Sequence, residues 1–169
     1  GRVLAPEPFV STVLLGGNAV ALGGQEALQK QLLPGVCQGQ RILCLALQEQ
    51  GRFSPYAVET SAKAEGDRFV VNGTKQFVLD GHAAEQIILV ARTSGSRGDR
   101  DGLALLVVDA GAEGVIVERS QLVDGRSATT ITFSNVSVDA DRLLGEVDRG
   151  AEILDAVLDR ATIGLCAEM

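Results

Sequence analysis

The chain has 169 residues, a formal net charge of −7, 46% hydrophobic residues and 22% charged residues, which is the composition of a globular protein. A chain of this length can bury about 70% of the surface that it exposes when unfolded, and its core must be aliphatic because only 4% of the residues are aromatic. The negative charge would repel a phosphate backbone, so we expect no nucleic-acid partner.

We expect neither a membrane partner nor a metal site. No basic start is followed by an apolar leader, and no uncharged run approaches the roughly 20 residues that span a bilayer, which together predict a cytoplasmic protein. Cys37, Cys44 and Cys166 show no CxxC spacing, and His82 is the only histidine. These cysteines are therefore expected to be buried and reduced.

Two helices are predicted before the first strand. Residues 9–23 are apolar nearly all round, which predicts a buried helix. The glycine pairs in this segment do not fit the GxGxxG spacing and no strand precedes them, so a dinucleotide-binding loop is disfavoured. Residues 25–33 form a shorter amphipathic helix, which Pro34-Gly35 is expected to end.

From residue 41 onward the helical spacing gives way to short apolar or alternating runs, which are typical of strands. In the central stretch, residues 69–79, Asn72-Gly73 separates two β-branched runs, and this predicts an antiparallel hairpin with a two-residue turn. Residues 87–91 are apolar throughout and predict a strand buried on both faces. The other predicted strands are 42–47, 57–64, 103–108, 115–118 and 129–138, with turns at Glu65-Gly66-Asp67, at 109–114 and at Asp124-Gly125.

Seven or eight short strands between turn signals predict a sandwich or a barrel. A last helix is predicted to begin near Asp148, whose carboxylate can cap it, and Ile153, Val157, Ala161 and Leu165 should form its buried face. The predicted fold class is α+β, with a central antiparallel β-barrel or sandwich domain flanked by helices. Apolar helices at both ends of the sequence are typical of a piece of a longer protein.

Six segments along nearly the whole chain are informative together: QEALQKQLLPGVCQG, LALQEQGRFS, FVVNGTKQFVLDGHAAEQIILVAR, TTITFSNVSV, LLGE and LDRATIGL. In this order they resemble the corresponding segments of the acyl-CoA dehydrogenase family. The resemblance implies the end of an N-terminal helical domain at 1–40, the whole middle β-domain at 41–145, and the first helix of a truncated C-terminal helical domain at 146–169. The flanking helices would then belong to partial all-α domains.

The resemblance implies that two stretches contact FAD. The first normally has leucine-threonine-glutamate-proline-glycine and then glycine-serine-aspartate; here Gln48 replaces the threonine at the pyrimidine edge of the flavin, and Pro55 replaces the aspartate. The second normally has tryptophan-isoleucine-threonine; here Phe77 can still stack on the ring, whereas Leu79 has no hydroxyl for the N5 edge. The implied cofactor-binding residues are Leu47, Gln48, Gly51, Ser54, Phe77, Val78 and Leu79.

The sequence pattern alone leaves a second interpretation open for Phe77 and Leu79. Phe77 and Leu79 alternate onto one face of a strand, and two apolar side chains on one face are also what a protein core requires.

The family reaction removes a proton from the α-carbon of a thioester while a hydride passes from the β-carbon to the flavin, so it needs a carboxylate base. Some members carry this base at the position of Ala161 and others carry it later, so no catalytic residue is assigned here. Thr162 stands where many members have an arginine near the substrate, and Asp159 either lies near the substrate or belongs to an exposed charged pair with Arg160. The implied substrate-binding residues are Ser54, Asp159 and Thr162.

The resemblance thus implies an FAD-dependent acyl-CoA dehydrogenase, or a large piece of one, that oxidises an acyl-CoA thioester to the enoyl form. It also implies an electron-accepting flavoprotein as partner and a homo- or hetero-oligomer, either a dimer or a tetramer. The altered positions leave a second class open, a subunit that keeps the fold and its interfaces but has lost part of the flavin or base machinery.

Overall fold

The computed structural model describes residues 7–123 and 127–168. Three helical segments precede the sheet: a π-helical stretch (Val10–Gly17), α1 (Asn18–Gly23), which continues it, and α2 (Glu26–Cys37); α3 (Gly150–Glu168) follows the sheet. The strands are β1 (Leu43–Ala46), β2 (Ser61–Glu65), β3 (Arg68–Leu79), β4 (Gln86–Arg92), β5 (Leu103–Asp109), β6 (Val115–Gln121), β7 (Ser127–Asp139) and β8 (Leu143–Leu144), with a 3₁₀ helix (Ala140–Arg142) before the last.

The strands form one open sheet in the order β6-β7-β3-β2-β4-β5-β8, and β1 pairs with β4 outside this path. The α+β class is confirmed, but the sheet is mixed rather than wholly antiparallel and is not closed into a barrel. Both β1 and β2 run parallel to β4, β1 along Gln86–Leu89 and β2 only at Arg92. This arises because the chain leaves β1, passes through the loop 47–60 and returns to the same edge of β4.

The core has two layers, one on each face of β4. Ile88 and Val90 pack with the helices, whereas Ile87, Leu89 and Ala91 pack with apolar residues of β3 and β7. The two halves of the sheet therefore pack face to face as in a sandwich. The prediction of a strand buried on both faces is confirmed, since every residue of β4 is buried.

The predicted hairpin at Asn72-Gly73 is wrong. Strand β3 runs through this dipeptide without a turn, and the turn lies at Gly66, between β2 and β3. At Gly73 the φ angle is +147°, and the pairing of β3 with β7 slips between Val71 and Gly73. The extra residue at this slip lies on β7, where residues 134 and 135 face Asn72 alone. Gly73 instead has the backbone freedom for its positive φ angle and lacks the Cβ that would meet Thr60.

One predicted helix end and one predicted helix cap are also wrong. Helix α2 continues through Pro34 to Cys37, and the Gly35 carbonyl is satisfied by main-chain N–H groups beyond the helix. The Asp148 carboxylate does not cap α3, because it accepts hydrogen bonds from the hydroxyls of Thr93 and Ser94 at 2.6 and 2.8 Å. Helix α3 begins at Gly150, near the predicted start, and a distant loop rather than the helix engages the Asp148 carboxylate.

Burial differs from the prediction at several positions. Only Cys44 of the three cysteines is buried, whereas Cys37 and Cys166 are exposed. On α3, Val157 and Ala161 are buried as predicted, but Leu165 is 42% exposed. The predicted turn at Asp124-Gly125 lies outside the described residues. Within the described part of the chain, no helix is both long enough and apolar enough to cross a membrane.

Candidate functional site

Strand β3 ends in a bulge that turns an aromatic ring outward. Lys75 lies opposite Ile131 and Val78 lies opposite Thr129, so β3 holds one residue more than β7 in this interval. Phe77 has a φ angle of +54° within this bulge, which is an unfavourable conformation for a bulky residue, and its side chain is 51% exposed. A strained backbone that exposes an aromatic ring is typical of a ligand site rather than of a core.

The other two residues of this predicted stretch are less accessible. Val78 is buried in the core between the two halves of the sheet, and Leu79 is half-buried. The expectation that Phe77 and Leu79 lie on the side opposite Val78 agrees with this burial pattern. The purely structural interpretation is disfavoured for Phe77 because the core does not enclose its ring.

The first predicted stretch is bonded to β3 directly beside the bulge. The Gln76 N–H donates to the Gln48 carbonyl at 2.7 Å. The Leu47 side chain is buried in the helix-side core, so only its main chain can face a ligand. The Gln48 side-chain amide donates to the Gln50 carbonyl at 2.6 Å and is therefore used within its own loop. The fold thus brings the two predicted cofactor-binding stretches together.

A buried ion pair at this junction was missed from the sequence. Lys75 is fully buried, and its Nζ lies 2.7 Å from Oε1 of Glu49 and 3.0 Å from the Leu47 carbonyl oxygen. The Glu49 carboxylate also accepts the main-chain N–H groups of Glu59 and Thr60 at 2.7 and 2.9 Å. Alternation along β3 was the available signal, because it places residue 75 on the same inward face as residues 69 and 71.

The pKa shifts of the two partners agree with a charged pair. Burial lowers the pKa of Lys75 to about 8 although Glu49 opposes this shift, and Arg92 lowers it further. Burial raises the pKa of Glu49, but the Lys75 charge and the hydrogen bonds from Lys75 and Thr60 outweigh it, so the carboxyl pKa lies below its usual value. At neutral pH Glu49 is therefore ionised and Lys75 is predominantly protonated.

The predicted substrate side lies between the loop 51–57 and α3. Gly51 and Ser54 are exposed. Two residues after Ser54, the Tyr56 hydroxyl donates to Asp155 Oδ1 on α3 at 2.6 Å, and Arg100 donates to the other oxygen of the same carboxylate at 2.8 Å. This ties the end of the loop to one face of α3.

Asp159 and Thr162 are both exposed on α3, four and seven residues after Asp155, which places all three residues on one helix face. The Thr162 hydroxyl donates to its own helix at the Leu158 carbonyl, 2.8 Å away. Ala161 is 4% exposed and belongs to the opposite, buried face. The helix face near the Ser54 loop thus carries the two predicted substrate-binding residues of α3.

Comparison with known proteins identifies the family. The profile described as acyl-CoA dehydrogenase, middle domain, matches residues 44–136, which is more than half of the chain. The chain therefore belongs to the acyl-CoA dehydrogenase family.

Individual relatives agree with this assignment. The 3-(aryl)acrylate reductase of Clostridium sporogenes is 33% identical over 159 residues, which are 92% of this chain and 42% of that protein. The probable acyl-CoA dehydrogenase FadE25 of Mycobacterium tuberculosis is 33% identical over 156 residues, which are 89% of this chain and 40% of that protein. The structure of butyryl-CoA dehydrogenase from Megasphaera elsdenii superposes with a TM-score of 0.88 at 26% identity, covering 95% of this chain and 43% of that chain. The chain spans about two fifths of the length of these relatives.

Proposed function

We propose that this chain is the central part of an FAD-dependent acyl-CoA dehydrogenase that oxidises an acyl-CoA thioester to its enoyl form. The observation that carries the proposal is the exposed Phe77 ring, held in a strained bulge beside the loop that begins at Leu47. FAD, when bound, supplies the acceptor for the hydride. Family membership and the relatives named as acyl-CoA dehydrogenases support the same class.

The role proposed for this chain is to bind and orient the flavin and the thioester. Phe77 offers a ring face for stacking, and the loop 47–54 offers main-chain groups and the Ser54 hydroxyl. Leu79 supplies apolar surface beside the ring. On α3, Asp159 and Thr162 would lie along the thioester, and we assign no base within the described residues.

We also propose the division into helical, β and helical domains at 1–40, 41–145 and 146–169. The helical segments that precede β1, the strands from β1 to β8 and helix α3 after them support these boundaries. The proposed partners are acyl-CoA, an electron-accepting flavoprotein and further subunits of a homo- or hetero-oligomer. The proposed location is the cytoplasm, in keeping with the three cysteines, none of which forms a disulfide.

The proposal predicts a bound flavin in the full-length protein. Purified protein should show two absorption bands between about 350 and 500 nm, which are the bands of the oxidised isoalloxazine ring. Addition of an acyl-CoA substrate should bleach the band at the longer wavelength as the ring is reduced. A protein that shows no bands, even after incubation with FAD, would instead be a subunit that has lost part of the flavin site. The missing hydroxyl at Leu79 and the engaged Gln48 amide are the features that raise this alternative.

Replacing Phe77 by Ala tests the placement of the ring. The change should weaken FAD binding by about 1 to 3 kcal/mol, because it removes the stacking surface and its buried area. FAD titration of the apoprotein, followed by flavin fluorescence, measures this loss. Ile116→Ala on β6 is a matched control, because it also removes an apolar side chain that is 55% exposed. Equal affinities for the Phe77→Ala and Ile116→Ala variants would contradict the placement.

A further inference from the structure

The loop 47–50 requires an external support if it is to contact a ligand. It carries no strand pairing of its own after β1 ends at Ala46, and the Gln48 amide is engaged with Gln50 inside the loop. Polar contacts from this loop to a flavin would therefore come from its main chain. The position of that main chain decides whether such contacts can form.

Three contacts hold this main chain against the sheet. Lys75 Nζ donates to the Leu47 carbonyl and to the Glu49 carboxylate, and so bridges the residues on either side of Gln48. The Gln48 carbonyl accepts the Gln76 N–H. The contacts on β3 are thus made by the two residues that directly precede Phe77.

The Glu49 carboxylate of this ion pair also connects the loop to the chain segment just before β2. Glu49 accepts the N–H groups of Glu59 and Thr60 at the end of the excursion between β1 and β2. Replacing a buried ion pair by apolar residues is often neutral or stabilising, so stability alone is a weak reason to keep one. A pair that bridges three chain segments at a ligand site has a positional use.

We propose that Glu49 and Lys75 are positioning residues for the flavin, which set the main chain of residues 47–50 against the Phe77 bulge. This inference rests on the proposed function. The two residues support the main chain that would contact the flavin, and they do not contact the flavin themselves, since Lys75 is fully buried.

The experiment compares FAD binding to the full-length apoprotein for wild type, Lys75→Met and the double variant Glu49→Gln/Lys75→Met. The double variant leaves no unpaired buried charge, so it is expected to fold as wild type does. Lys63→Met is the matched control, because Lys63 is exposed on the neighbouring strand β2. Circular dichroism verifies the fold, and each dissociation constant is measured from pH 6.5 to 9.

We expect both variants that lack Lys75 to bind FAD about tenfold more weakly than wild type at pH 7, which is the effect of misplacing one or two hydrogen bonds. Wild-type and Lys63→Met affinities should fall as the pH rises through about 8, where Lys75 loses its proton. The charged groups that act on this ammonium are Glu49 and Arg92. Without Lys75, this pH dependence should disappear.

Two outcomes would overturn the inference, and they are distinguishable. A wild-type protein that binds no FAD removes the proposed function together with this inference. A wild type that binds FAD, with a folded double variant of unchanged affinity and an unchanged pH profile, removes only the positioning role. If Lys75→Met alone is unfolded, the double variant and the wild-type pH profile still decide.

Discussion

Replacing Arg92 by Met is expected to lower the free energy of unfolding by about 3 to 5 kcal/mol. The Arg92 side chain is 9% exposed and uses all five of its donors on main-chain carbonyl oxygens. The five acceptors, at 2.9 to 3.2 Å, are the carbonyls of Tyr56, Val58, Ser94, Asp99 and Asp101. Methionine fills a similar space but leaves these acceptors without donors, and urea unfolding followed by circular dichroism measures the cost.

Two further variants serve as comparisons for Arg92→Met. Arg92→Lys keeps the charge but has only three donors without the planar geometry, so it should recover only part of the loss. Arg68→Met removes an exposed arginine whose ion pair with Asp67 is 3.7 Å long, and it should change stability by less than about 0.5 kcal/mol. An Arg92→Met variant as stable as Arg68→Met would show that the five hydrogen bonds do not stabilise the segments 56–58 and 94–101, which they connect.

Replacing Gly73 by Ala is expected to cost about 3 kcal/mol and to weaken flavin binding as well. The added Cβ would lie 2.5 Å from Thr60 Oγ1 and 2.7 Å from the Thr60 Cα, and the φ angle of +147° is unfavourable for alanine. The main chain of Thr60 would have to move. Since the Thr60 N–H donates to Glu49, this movement would disturb the loop 47–50.

Matched glycine variants separate crowding from backbone strain. Gly66 has a φ angle of +66° with no atom within 4 Å of the added Cβ, so Gly66→Ala should cost only about 1 kcal/mol. Gly111 has neither a positive φ nor a close neighbour, so Gly111→Ala should be neutral or slightly stabilising. The same urea unfolding assay applies, and a Gly73→Ala variant no less stable than Gly66→Ala would refute the close contact with Thr60.

The site could be predicted in part from the sequence. The order of the six segments correctly indicated the family. Strict alternation would place Phe77 on the same face as the buried Lys75, so the exposure of the Phe77 ring depends on the bulge between Lys75 and Val78. The bulge itself was not predicted, because it depends on how β7 pairs with β3. Glu49 and Lys75 are 26 residues apart, and no local pattern shows that their side chains meet.

The sequence by itself determined the α+β class, the doubly buried strand β4 and the buried positions of α3 nearest its centre, because these follow from periodicity within one segment. Only the tertiary structure decided between a turn and a continuous strand at Asn72-Gly73, since the backbone freedom of glycine serves both a tight turn and the close approach of another chain segment. The approach of Thr60 to Gly73 and the pairing with β7 made this choice. The parallel return of β2 to β4 was likewise decided by contacts between distant segments, which residue patterns along the chain do not encode.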